Sequence, residues 1–109
     1  MIAYTFLVYE AIVIHIVEIA RAARKQIGRA PRHVVAKFAA WVDEVERLGL
    51  ETVRKKPGFH DHPLKGRLAG KRAVSLSRKW RAVYELRTRG SGEMVVEFVS
   101  VEEVHPHEY

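Results

Sequence analysis

The stretch Trp80-Arg-Ala-Val-Tyr-Glu-Leu-Arg87 decides the fold class, because apolar residues stand at every second position along it. Such alternation is typical of a β-strand that packs one face on a core. Residues 72–78 alternate in the same way, and residues 94–104 are rich in Val with Glu at intervals. Short stretches containing Ser or Gly separate the three segments and suit hairpin turns. The C-terminal half therefore predicts three antiparallel strands.

The N-terminal half predicts a strand followed by a helical hairpin. Residues 12–17 are almost all β-branched, which favours a buried strand, and residues 18–27 are rich in helix formers before Gly28. A second helix is expected between Pro31 and Gly49, where apolar residues recur at spacings of three and four. These residues are Val34, Phe38, Trp41, Val45 and Leu48. The resulting apolar stripe is expected to pack on the sheet.

The order of elements predicts the architecture. Residues 51–71 are expected to form a long loop, because Pro and Gly punctuate them and apolar periodicity is weak. The order β-α-α-β-β-β then predicts a small α+β domain, with an antiparallel sheet of about four strands and the helical hairpin on one face. A chain of 109 residues leaves little room for a second domain, so residues 1–109 are predicted to form one.

The composition excludes several classes of function. The chain has no Cys, so it has no disulfide framework, thiol nucleophile or Cys-ligated metal, and the cytoplasm is the expected location. The apolar N-terminal run has no Lys or Arg before Arg21 and is interrupted by Glu10, His15 and Glu18. We therefore expect neither a signal peptide nor a membrane-spanning helix there.

The positive charge is concentrated in one part of the chain. The formal net charge is +6 at pH 7. Twelve basic and two acidic residues lie between Arg54 and Arg89, whereas residues 90–109 hold five acidic residues and no Lys or Arg. A segment this basic predicts a polyanionic partner, which is either a nucleic acid or an acidic protein.

His62, Lys65 and Arg81 are the candidate reactive residues, together with the tail His105-Pro-His-Glu-Tyr109. If the strands pair as predicted, the loop, the middle strand and the end of the last strand converge on one end or face of the sheet. This set suits metal-free cleavage of RNA. One group deprotonates a ribose 2′-OH, a cation stabilises the phosphorane, and an acid protonates the leaving 5′-oxygen.

The histidine pairs are also candidates for metal ligation. His60 and His62 lie two residues apart, as do His105 and His107, and neutral imidazole is a common ligand. Asp61 is the one clear carboxylate partner in the loop. We therefore expect no metal and no cofactor.

Five stretches of the sequence resemble those of one protein family. They are Lys37-Phe-Ala-Ala-Trp-Val42, Lys56-Pro-Gly-Phe-His-Asp-His-Pro-Leu-Lys-Gly66, Arg72–Leu76, Trp80-Arg-Ala-Val-Tyr84 and Val101–Tyr109. From about residue 12 to its end, the chain resembles the RelE/ParE superfamily of bacterial toxin–antitoxin toxins, and within it the HigB-like mRNA interferases. The resemblance implies a compact α+β toxin that enters the ribosomal A site, cleaves mRNA there and is inhibited by an antitoxin encoded alongside.

The resemblance also implies roles for individual residues. Arg81 would hold the scissile phosphate and stabilise its transition state, and Lys65 would add positive charge. His62, Tyr109 or both would transfer protons, with His107 as a competitor for the base. A free Tyr or Lys has a pKa of about 10, so either needs neighbouring cations to act as a base at neutral pH.

The expected partners are the ribosome, mRNA and a cognate antitoxin. The antitoxin is expected to be a small helix-turn-helix protein, through which alone the toxin would meet operator DNA. The basic residues expected to contact RNA phosphates are Lys55, Lys56, Arg67, Lys71, Arg72, Arg78 and Lys79. We expect no membrane partner.

Two departures and two alternative functions accompany the resemblance. Residues 1–11 extend beyond the usual start of the family, and Pro106 stiffens the tail that carries Tyr109. The alternative functions are a ParE-like poison of DNA gyrase, which shares the fold without the nuclease residues, and a family member that acts only by binding protein. The presence of His62, Lys65, Arg81 and Tyr109 together favours the nuclease.

Overall fold

Five strands form the sheet of the computed structural model, which describes residues 13–106. The strands are β1 (Val17–Ile19), β2 (His62–Pro63), β3 (Arg72–Ser75), β4 (Trp80–Ser91) and β5 (Met94–Pro106). The helices are α1 (Arg21–Ile27), α2 (Arg32–Leu48) and α3 (Leu50–Arg54). Short 3-10 turns at Pro57–Phe59 and Gly66–Leu68 flank β2. Among the described residues, no helix is long and apolar enough to cross a membrane.

The sheet has the order β1-β5-β4-β3-β2. The pairs β2–β3, β3–β4 and β4–β5 are antiparallel, whereas β1 runs parallel to β5. The predicted α+β class is confirmed, but the wholly antiparallel sheet of about four strands is wrong in two details. The loop supplies an extra two-residue strand, β2. The last strand also returns beside β1 in the same direction, which makes the sheet mixed.

The predicted element bounds also change around β1. The strand expected over residues 12–17 is found at Val17–Ile19, because the backbone of Ile14 hydrogen-bonds to the start of α3 and not to the sheet. The buried side chain of Ile14 joins the core, and its carbonyl accepts a 2.8 Å hydrogen bond from the N–H of Leu50. Ile14 is thus held at the junction of α2 and α3, whereas the carbonyl of Ile16 accepts a hydrogen bond from Val99 on β5. Ile12 and the 1–11 extension lie outside the described residues.

The helices cover one face of the sheet through the predicted apolar stripe. Val34, Phe38, Trp41 and Val45 are all buried. The ring of Trp41 packs 5.5 Å from the ring of Tyr84 on β4. Leu48 is 38% exposed instead of continuing the stripe, because α2 ends at Gly49 and the buried Leu50 of α3 takes its place.

The opposite face of the sheet, here called the open face, carries polar side chains around Arg81 and buried apolar ones, Ala73, Val83 and Phe98, further along the strands. On β4 and β3, Ala82, Tyr84 and Val74 belong to the core cluster. Side chains alternate between the two faces along a strand, so Arg81 and Ser75 lie on the open face. Strand pairing aligns Arg81 with Ser75 on one side and with His105 on the other. One row across three strands therefore presents a guanidinium, a hydroxyl and an imidazole.

We predict that Gly49→Ala destabilises the protein by about 1–3 kcal/mol. Gly49 has a φ of 87°, and a Cβ there would lie 2.5 Å from Cγ1 of Val13. Gly58 has no heavy atom within 4 Å of a built Cβ and no positive φ. Gly58→Ala is thus the matched control and is expected to be neutral or slightly stabilising. Urea unfolding followed by circular dichroism compares the two, and equal stabilities would contradict the prediction.

Candidate functional site

His62 lies on the open face with Arg81, one row away along the sheet. His62 pairs with Ala73 on β3, and Ala73 pairs with Val83 on β4. Two residues along β4 from Val83 is Arg81. Neighbouring strands are about 4.8 Å apart and residues two apart on a strand are about 6.6 Å apart. The pairing thus brings together on one face two residues that the sequence predicted for the site.

A cavity of about 510 Å³ lies beside His62. Its lining residues are Lys37, Gly58, His60, His62, Ser75, Leu76, Ser77 and Arg78. We call it the histidine cavity. Two imidazoles, an ammonium and a guanidinium line it, and no carboxylate from the described residues does.

A second cavity of about 410 Å³ contains Arg81 and is called the arginine cavity. Glu103, His105 and Pro106 complete its lining. The Nε of Arg81 is buried and has no hydrogen-bond partner among residues 13–106. An unpaired buried guanidinium N–H is costly, and a phosphate oxygen would satisfy it. The arginine cavity therefore has a donor suited to an anion.

The linings of the two cavities include the two members of one strand pair. Ser75 lines the histidine cavity, and Arg81, its partner across the β3–β4 ladder, lines the arginine cavity. A polymer lying across the open face would therefore contact both cavities.

His62 is held by its own loop. Its Nδ1 donates a 2.8 Å hydrogen bond to the carbonyl of His60, and the two rings lie 5.0 Å apart. With the proton on Nδ1, the neutral imidazole carries its lone pair on Nε2. That is the form in which a histidine acts as a base.

Asp61 anchors this loop to the sheet. Its side chain is 1% exposed and accepts hydrogen bonds from Nε of Arg72 at 2.6 Å and from Oη of Tyr84 at 2.5 Å. Burial, followed by the hydrogen bond to Asp61, raises the pKa of Tyr84 far above its usual range. For Arg72, burial alone would lower the pKa, but the hydrogen bond and charge of Asp61 outweigh it and raise the pKa.

Two of the seven residues predicted to contact RNA already have carboxylate partners. Arg72 pairs with Asp61 and Lys56 with Glu44. Arg72 thus holds the loop in place, with its side chain 24% exposed. Within residues 13–106, the other five form no ion pair with a carboxylate. They are Lys55, Arg67, Lys71, Arg78 and Lys79.

Three further predicted residues lie away from the cavities or outside the described chain. Lys65 is exposed in the loop after β2 and lines neither cavity. His107 and Tyr109 follow the end of β5 and lie outside the described residues, so their roles stay predictions. The last described pair of β4 and β5, Trp80 with Pro106, is next to the pair of Arg81 with His105.

Sequence reasoning overlooked two residues that the structure adds to the site. The sequence predicts His60 only as a metal ligand, and Lys37 only as part of a stretch that resembles the family. The position of His105 could have been found from the alternation of β5, since it shares a face with Glu103 opposite β4. Lys37 and His60 reach the histidine cavity through contacts between distant parts of the chain, which no local pattern shows.

Comparison with known proteins gives structural similarity alone. No family model and no curated protein sequence matches the chain. A YoeB/ParE toxin from Agrobacterium tumefaciens is 19% identical with a TM-score of 0.58, over 85% of this chain and 99% of that one. The toxin–antitoxin complex RelBE2 from Mycobacterium tuberculosis matches at 18% identity and a TM-score of 0.58, over 87% and 100%. The E. coli DinJ–YafQ complex matches at 18% and 0.60, over 86% and 94%.

The chain has the fold of the RelE/ParE-like toxins. The RelE-like architecture expected from the sequence is therefore confirmed. Within this RelE/ParE-like fold, the arginine cavity lies on the open face, and the histidine cavity extends from Ser75 and His62 to Lys37 of α2 and the core residue Leu76. The candidate site is thus built on strands whose opposite side chains form the core.

We predict that Asp61→Ala costs about 3–5 kcal/mol of stability, because it leaves a largely buried guanidinium and a buried hydroxyl without their acceptor. Asp43 provides the matched control, since its pair with Arg47 is exposed at 63% and 59%. Asp43→Ala is expected to cost at most about 0.5 kcal/mol. Denaturant unfolding measures both, and similar costs would show that Asp61 is no anchor.

We also predict that Tyr84→Phe reduces the loss of stability in alkali. In the unfolded chain, Tyr84 ionises above a pH of about 10. In the folded protein the phenol stays neutral there, because the pKa of Tyr84 is raised. Folding stability from this group is therefore complete below that pH and falls as the pH rises. Unfolding free energies at pH 7 and pH 11 should fall less steeply for Tyr84→Phe than for the wild type. Equal slopes would contradict the assignment.

Proposed function

We propose that the chain is the toxin of a type II toxin–antitoxin system and acts in the cytoplasm as a ribosome-dependent mRNA endonuclease. The RelE/ParE-like fold supports the toxin class. The observation that carries the nuclease is Arg81, whose buried Nε has no partner within the described residues and which lines a cavity together with Glu103 and His105. A site prepared for an anion is expected of an enzyme that stabilises a phosphorane.

The proposed reaction is an attack by the ribose 2′-oxygen on the adjacent phosphorus. A base removes the 2′-OH proton, the new P–O bond forms as the P–O5′ bond breaks, and an acid protonates the leaving 5′-oxygen. The products are a 2′,3′-cyclic phosphate and a free 5′-hydroxyl. No metal or cofactor takes part in the proposed reaction.

The residues of the open face suit these roles. Arg81 would bind the non-bridging phosphate oxygens, and Lys65 would add charge from the loop. His62 is the proposed base, with His105 facing Arg81 from the neighbouring strand as a further proton carrier. Tyr109 and His107 remain proposed proton-transfer residues of the tail.

The proposed partners follow from the same class. Two of the similar structures are toxin–antitoxin complexes, RelBE2 and DinJ–YafQ. We therefore propose a cognate antitoxin for this chain, together with the ribosome and mRNA as its targets. The basic residues Lys55, Arg67, Lys71, Arg78 and Lys79 would contact RNA phosphates.

We predict that Arg81→Ala abolishes growth arrest on induced expression and lowers mRNA cleavage by at least about a hundredfold. Arg87→Ala is the matched control, because Arg87 lies on the same strand and face but is 57% exposed and pairs with Glu85. It is expected to stay toxic. Colony counts after induction and mapping of mRNA 5′ ends provide the measurements.

The same experiment separates the alternatives. Codon-phased mRNA ends with the wild type, lost in Arg81→Ala, support the nuclease. Intact transcripts with DNA damage would instead indicate a gyrase poison. Full toxicity of Arg81→Ala at wild-type protein levels would rule out the proposed role of the guanidinium.

A further inference from the structure

We infer that the histidine cavity binds the nucleotide of single-stranded RNA that adjoins the scissile phosphate. This inference rests on the proposed function and names a binding site that adjoins the reacting groups. Its ligand class is a nucleoside phosphate, with the phosphate held by Lys37 and Arg78 and the base stacked on the exposed ring of His60, next to His62.

The cations of the cavity are free to bind an anion. The Nζ of Lys37 lies 4.8 Å from the centroid of the Phe59 ring, which itself is buried in the core. Neither Lys37 nor Arg78 forms an ion pair with a carboxylate in the described part of the chain. Two oriented cations without a counter-ion at the wall of one cavity favour a phosphate as the ligand.

The serines of the cavity add hydrogen-bond donors. The Oγ of Ser77 accepts the backbone N–H groups of Lys79 at 3.3 Å and Trp80 at 3.2 Å. Because these donors use its acceptor capacity, the hydroxyl proton is left to donate elsewhere. Ser75 stands at the boundary with the arginine cavity. Both hydroxyls can therefore donate to a phosphate or ribose oxygen at the wall between the sites.

The histidine pair offers a surface for a base. The rings of His60 and His62 lie 5.0 Å apart and are inclined by 42°, and His60 is exposed. Aromatic side chains, His included, bind unpaired RNA bases by stacking. His60 adopts a left-handed conformation with φ 47° and ψ 51°, which is costly for a residue other than Gly. The loop thus keeps an imidazole where a Gly would be easier to accommodate.

Continuity with the arginine cavity favours RNA over a separate small ligand. Ser75 and Arg81 are direct partners on neighbouring strands, about 4.8 Å apart. A nucleotide in the histidine cavity can therefore continue into a phosphate at Arg81 without crossing any other element. The volume of about 510 Å³ also lies within the range of about 300–1,000 Å³ usual for pockets that hold such ligands.

The first test measures the binding of an eight-nucleotide RNA with 2′-O-methyl groups, which lacks the attacking hydroxyl. Fluorescence anisotropy at several salt concentrations compares the wild type with the double variant Lys37→Ala/Arg78→Ala. Lys25→Ala/Arg29→Ala is the control, because it removes the same charge from exposed residues of α1 and the turn after it. Only the cavity variant should bind at least about tenfold more weakly, with a salt slope lower by about 1.4 for two lost phosphate contacts.

Equal losses in the two double variants would overturn the site, since they would show a general effect of charge. No loss in the cavity variant would overturn it as well. Thermal unfolding of each variant accompanies the binding data, so that a folding defect is recognised. If the double variant fails to fold, the single variant Arg78→Ala, at an exposed turn, replaces it with a slope change of about 0.7.

The second test separates the base from the phosphate. His60→Gly removes the ring and suits the left-handed backbone, so the loop should keep its shape. We expect it to weaken binding of the methylated RNA about tenfold while leaving inorganic phosphate binding, followed by NMR shifts of backbone amides, within about twofold. Unchanged RNA affinity in His60→Gly would remove the base from the proposal and overturn it.

An acidic peptide is the competing occupant. If an eight-residue poly-Glu peptide, and not the RNA, loses affinity in the cavity variant, the cavity belongs to a protein partner and the proposal is wrong. Failure of this site is distinguishable from failure of the proposed function. Full toxicity of Arg81→Ala would refute the nuclease role without altering the binding result, whereas unaltered RNA binding by the cavity variant would refute only the site.

Discussion

The buried carboxylate of Asp61 connects the core of this protein to the loop that carries His60 and His62. It accepts hydrogen bonds from Arg72 on β3 and from Tyr84 on β4, and the ring of Tyr84 packs on Trp41 of α2. Helix, sheet and loop therefore meet at one side chain. Because buried polar groups without partners are costly, the three partners constrain one another. The loop that holds the two histidines is positioned by this network.

Side chains alternate between the two faces of a strand. The packing that buries one set of side chains therefore also determines which side chains lie on the open face. Asp61 faces the core side of the sheet, while the residues on either side of it, His60 and His62, reach the histidine cavity. On β4, the same alternation buries Tyr84 and places Arg81 on the open face. A register slip of one residue would exchange the two sets. The apolar stripe of α2, by fixing which face of the sheet is buried, also fixes which side chains lie on the open face.

The basic residues fall into two groups, those that form an ion pair with a carboxylate and those that do not. Arg72 pairs with a buried carboxylate, and the exposed Arg89 forms a bidentate pair with Glu18 that lowers the pKa of Glu18. Lys37, Arg78 and Arg81 have no such partner in the described part of the chain. The net charge of +6 is thus a poor guide to location, because ion pairing decides which cations remain for a polyanion. Three of the unpaired cations, Lys37, Arg78 and Arg81, line the two cavities.

Local sequence determined the elements with strong periodicity: the stripe of α2, the three C-terminal strands, and the presence of His62 and Arg81 on loop and strand. These features depend on neighbours a few residues apart, which the sequence displays directly. Only the tertiary structure decided that β1 runs parallel to β5, that the loop supplies β2, and that Asp61 forms an ion pair with Arg72. It also brought Lys37 and His60 to one cavity. Each of these depends on contacts between distant parts of the chain, whose partners are chosen by burial and hydrogen bonding in the folded protein.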